Sequence, residues 1–148
     1  MLASTIISLI WIVILIVFFI FFFNHYRRLK NISRWPITEG KVVHFTMEEQ
    51  NENYWPSISY QYQVNGQTHE SEHFFADTAH YSPQTPRAKR LAYDIAQAYL
   101  KEQPVVVHYN PLAPEEAVLD VKVPIKLIAI MVVLFALMLT EVILLLLK

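Results

Sequence analysis

The sequence predicts a membrane protein with two transmembrane helices and an inserted α+β domain, an antiparallel β-meander of about four or five strands with one helix. Three observations predict it. An apolar run stands at each end of the 148 residues, each long enough as a helix to cross the roughly 30 Å hydrocarbon core of a bilayer. Between the runs the chain turns polar and carries both glycines and all but one of the eight prolines. Within that middle part apolar and polar residues alternate with a period of two, interrupted once by a stretch of helical period. The boundaries follow as 2–23 for the first helix, 24–123 for a juxtamembrane segment and the α+β domain, and 124–147 for the second helix.

Composition narrows the chemistry. A formal net charge of −1 offers no whole-chain attraction to nucleic acid, and no nucleic-acid partner is expected. The absence of cysteine removes disulfides, thiolate nucleophiles and cysteine-ligated metal sites together. A middle segment of this length holds one small core and no more.

The first apolar stretch has no charged side chain before Asn24 and ends in the run Phe18 to Phe23. It lacks the basic start, the short apolar stretch and the small-residue cleavage site of a signal peptide, so it is expected to remain as an anchor. Arg27, Arg28, Lys30 and Arg34 follow it closely, and Lys122 and Lys126 precede the second span, whereas only Lys148 lies beyond that span. The positive-inside rule then places the central domain in the cytoplasm and both termini outside, in a multi-pass protein of the inner (plasma) membrane. The same basic cluster suits the anionic headgroups of membrane lipid.

Trp35-Pro36 breaks the helix, and Lys41 to Glu49 alternates as a strand with Val43, Phe45 and Met47 on one face. Gln50 to Asn53 is a polar turn. Tyr54 to Val64 is the clearest strand, and Asn65-Gly66 after it is the dipeptide that best tolerates a tight hairpin. Gln67 to Phe75 pairs back, which sets Tyr62 opposite His69, Tyr60 opposite Ser71 and Ile58 opposite His73. Tyr60, Tyr62, His69 and His73 would then share a mixed face, either a partly solvated surface or a shallow groove able to bind a ligand. Ala76 to Gln84 is a loop. Thr85-Pro86 reads as an N-cap followed by proline in the first turn, opening an amphipathic helix to about Glu102. Val105 to Tyr109 is a strand, Asn110-Pro111 a turn, and Glu115 to Val121 a last extended segment.

Three pieces in this order, Trp35-Pro36 with Gly40, Tyr60-Gln61-Tyr62-Gln63-Val64-Asn65-Gly66, and Val105-Val106-Val107-His108-Tyr109-Asn110-Pro111 with Pro114 and Ala117, cover most of residues 35 to 120. With them the chain resembles a widespread bacterial family of small membrane-anchored proteins catalogued only as a domain of unknown function. The resemblance implies a compact β-rich domain beside a bilayer and brings no catalytic residues to carry over. Two positions depart from the family's pattern. Glu102 stands where a glycine is usual before the valine strand, and His69 where an aromatic is usual.

Glu141 is the chief candidate for function, because an ionisable group inside a spanning helix costs about 2.5 to 3.5 kcal/mol at the centre. It can snorkel toward the outer headgroups, bond Ser8 or Thr5 at a similar depth on the first span, or meet a membrane partner. Metal is not expected: His69 and His73 on one strand face stand about 13 Å apart, too far for one ion. No cofactor and no catalytic constellation can be assembled. The reading is a non-catalytic accessory or regulatory subunit that binds another membrane protein, or itself. An immunity protein against a membrane-acting toxin, a membrane-surface enzyme or ligand-binding module, and a pore-forming or structural oligomer are the alternatives.

Overall fold

The computed structural model describes residues 2–50, 53–76 and 85–147. Their elements run α1 (Leu2–Ile32), β1 (Ile37–Gln50), β2 (Asn53–Val64), β3 (Gln67–Ser71), α2 (Pro86–Leu100), β4 (Val105–Asn110), β5 (Ala113–Val118) and α3 (Ile125–Leu146). They form two compact units, a helical one of 1–30 with 123–148 and a β-rich one of 31–122. Most of the expected Gln50 to Asn53 turn and of the Ala76 to Gln84 loop lies outside the described residues.

In the helical unit, α1 and α3 are both long and apolar enough to cross a membrane. α1 does not stop where its apolar run ends but continues through the basic residues to Ile32, with Lys30 in its last turn, where a cation suits the helix dipole. The less exposed residues of α1 recur in steps of three and four, at Thr5, Ser8, Ile12, Leu15, Phe19 and Phe22. Those of α3 do the same at Leu127, Met131, Leu134, Met138, Glu141 and Leu145. Such spacing is the seam of a helical pair. Beside it the rings of Phe19 and the more exposed Phe135 approach to 6.4 Å.

The β-rich unit is a five-stranded antiparallel sheet in the order β3-β2-β1-β4-β5. The sheet curls into a barrel-like form. Leu119 and Asp120 donate backbone bonds of 3.2 and 2.8 Å to Phe74 O, and Phe75 bridges to Asp120, which joins the chain after β5 to the chain after β3. Asn65 (φ 52°) and Gly66 (φ 79°) take the two left-handed positions of the β2–β3 turn, which fixes Tyr62 opposite His69 and Tyr60 opposite Ser71. α2 closes the inner face with Ala88, Ile95 and Ala98, and Tyr99 stacks on Phe45 at 5.9 Å. Thr85 caps it, its hydroxyl accepting from Ala88 N at 3.2 Å.

Two local expectations are corrected. A bulge between Val42 and His44 shifts the phase of β1, so Val42 is buried beside Phe45 while Val43 turns outward. Alternation read straight through residues 41–49 cannot detect one extra residue in the ladder. β5 also begins at Ala113, earlier than the expected Glu115.

Glu102 has a clear structural place. α2 ends with Gln103 N donating to Ala98 O at 2.8 Å and Glu102 N to Tyr99 O at 3.3 Å, the paired bonds of a Schellman ending. Glu102 occupies its left-handed position at φ 51°, where a Cβ is disfavoured. Its exposed pairing with Lys41 at 3.2 Å returns little. Glu102→Gly is therefore expected to raise the stability of the full-length protein by about 0.5 to 1 kcal/mol, read as a higher denaturation midpoint in detergent. A lower midpoint would contradict this account of the turn.

Candidate functional site

Folding buries the aromatic pair of β2. Tyr60 and Tyr62 have relative exposures of 0 and 2 %, so they form core and not a ligand-binding face. The reason is the curl of the sheet, which brings β5 over the hairpin. Tyr60 Oη reaches His73 O at 2.9 Å and Ala117 O at 3.0 Å, and Tyr62 Oη donates to Pro114 O at 2.6 Å. Ser71 Oγ donates to the same Ala117 carbonyl at 3.0 Å. These bonds tie β2 and β3 to β5 and satisfy polar atoms that closure removes from water. Burial, as the largest cause, pushes both phenols above their ordinary pKa; nearby Glu115 adds to the shift of Tyr62.

The two histidines separate. His69 stacks on Tyr62 at 5.7 Å between ring centres. His73 is exposed and contributes its backbone carbonyl to Tyr60. On the outward side of the hairpin, Ser59 and Gln61 donate hydrogen bonds to Glu70, which holds that carboxyl below its usual range. Among the described residues no group of three His, Asp or Glu side chains could hold a metal ion.

The surface depressions of the domain include two bordered by side chains of both charges. One, of about 380 Å³, is lined on the sheet by Glu39, Lys41, Gln61, Gln63, Thr68 and Pro104. The other, of about 600 Å³, lies at the start of α2 between Arg87, Arg90, Asp94, Asp120 and Lys122. Arg87 is already engaged there in a forked ion pair with Asp120, with Nε to Oδ2 at 2.7 Å. Both depressions are shallow and mixed in charge.

In the helical unit, Glu141 is half-buried on the seam of α3, and Thr5 and Ser8 lie on the seam of α1. Among the described residues nothing donates a hydrogen bond to the Glu141 carboxylate. The neighbouring Thr140 turns its hydroxyl back to Ala136 O at 2.9 Å.

Arg27, Arg28 and Lys30 are exposed on the last turns of α1, with the Lys30 ammonium 5.7 Å from the centre of the Tyr26 ring. Arg34 is exposed in the turn that follows, its N–H bonded to Asn31 O at 3.0 Å. On α3, Lys126 is exposed in the first turn.

No curated protein matches the chain. No solved structure matches it either. The Tyr60–Tyr62 brace, the Asn65-Gly66 turn and the β4–β5 hairpin all fall inside residues 38–124, which match the family described as a domain of unknown function (DUF3592). The match covers more than half of the chain, and the protein belongs to that family.

Proposed function

We propose that this chain is a non-catalytic accessory subunit of the inner membrane, one that binds another membrane protein through the Glu141 side of its helical pair. The observation that carries the reading is a half-buried carboxylate, on a helix apolar enough to span, with no hydrogen-bond donor among the described residues. Left so in hydrocarbon it costs a few kcal/mol, and a donor on a third helix would remove that cost. Leu137 and Leu144, one turn to either side of Glu141, are about half exposed and would form the apolar margin of such a contact. The six Lys/Arg on the domain side of the two helices support a cytoplasmic domain.

The test is affinity purification of the full-length protein from native membranes in mild detergent, with Glu141→Gln and Glu141→Leu alongside. The wild type is expected to bring down a stoichiometric membrane partner. Gln, which keeps hydrogen-bonding capacity, should retain most of it, and Leu should lose at least tenfold. Equal recovery by all three proteins would sink the reading, as would a wild type that comes down alone.

A further inference from the structure

The end of α1 carries its cations in fixed helical geometry. Because the helix runs unbroken to Ile32, Arg27 and Lys30 stand one turn apart on one flank, with Arg28 on the other. Lys126 stands in the first turn of α3. All four are exposed. The belt begins within one turn of the last phenylalanine of the apolar run, Phe23, where the headgroup region of a bilayer would start. Lys30 is held over the Tyr26 ring, an aromatic suited to the same interface.

We propose that this belt is a binding site for the phosphate of an anionic phospholipid headgroup, with Arg27 and Lys30 as its two principal donors. Arg27 offers a planar fork and Lys30 a point charge to one phosphodiester, and Arg28 and Lys126 hold further headgroups around the two helices. The site rests on the membrane-spanning reading but not on the Glu141 partner. It also differs from the topology role of the same residues, which requires positive charge during insertion and no retained lipid.

The experiment uses the full-length protein, purified in mild detergent with Glu141 intact, and reads both retained lipid by native mass spectrometry and the melting temperature. Phosphatidylglycerol, cardiolipin, phosphatidylcholine and inorganic phosphate are added in separate arms. The anionic lipids are expected to be retained and to raise the melting temperature, whereas phosphatidylcholine and inorganic phosphate should do neither. Arg27→Gln with Lys30→Gln should bind anionic lipid about thirtyfold more weakly, the effect of two cations at an anionic surface, with an unchanged melting temperature in phosphatidylcholine. Arg27→Lys with Lys30→Arg should keep most of the binding. Equal retention of anionic and zwitterionic lipid, an effect reproduced by inorganic phosphate, or full binding by the glutamine variant would each overturn the site. Solubility of the protein without detergent would instead overturn the membrane reading on which both proposals stand.

Discussion

Tyr60→Ala is expected to unfold a large fraction of the β-rich unit. Removing a fully buried aromatic ring costs about 3 to 5 kcal/mol. A unit of this size has only about 5 to 14 kcal/mol to lose. The milder Tyr60→Phe keeps the ring and removes only the hydroxyl, which leaves its bonds to His73 O and Ala117 O unmade. That change should cost about 1 to 3 kcal/mol. Ser71 still donates to the Ala117 carbonyl, so the smaller half of the range is expected there. The check is the denaturant midpoint of the full-length protein in detergent, together with amide hydrogen exchange. In Tyr60→Phe, protection should fall first in β3 and β5, the strands that the hydroxyl joins to β2. A uniform loss across the sheet would mean that the tyrosine packs but does not brace.

The second large effect is at Gly40. A Cβ there would lie 2.6 Å from Val107 Cγ2 and 3.0 Å from Gln61 O, where β1 is flanked by β2 and β4. The carbonyl belongs to the backbone and cannot turn aside. Gly40→Ala should therefore cost about 1 to 3 kcal/mol in the same measurement. Part of the strain is against a side chain, so Val107→Ala in the same molecule should recover some of it. The double variant is expected to be more stable than the sum of the two single effects predicts. Simple additivity would show that Val107 is not what the new methyl meets.

Both positions show how three separate pieces of this chain meet. Tyr60 and Tyr62 reach across to the backbone of residues 114 and 117, and Gly40 makes room for Val107. The pieces are far apart in the sequence and touch in the curled sheet. The order of elements was legible because each signal is local: two apolar runs, an Asn-Gly turn, a Thr-Pro helix start, and valines after a proline. The pairing register of β2 and β3 was legible for the same reason, since a two-residue turn leaves no freedom in the count.

What was not legible depends on non-local contacts. Tyr60 and Tyr62 alternate with glutamines as a half-buried strand does, and nothing local says that β5 will cover them. The Val42/His44 bulge leaves no mark in composition. Glu141 was visible as an anomaly from its residue type alone. Its place on the less exposed side of α3 was not, because composition alone does not say which face of an apolar helix is covered.

The central claim is that the Glu141 side of α3 docks a membrane partner. The most direct measurement places a photo-activatable residue, one position at a time, in the full-length protein and irradiates native membranes. Leu137 and Leu144 flank Glu141 by one turn, and Leu139 and Leu146 lie on the opposite side of the helix. Leu137 and Leu144 should give a discrete adduct with a second membrane protein, lost in Glu141→Leu, while Leu139 and Leu146 should give lipid adducts alone. Equal protein adducts from both sides, or none from Leu137 and Leu144, would contradict the account.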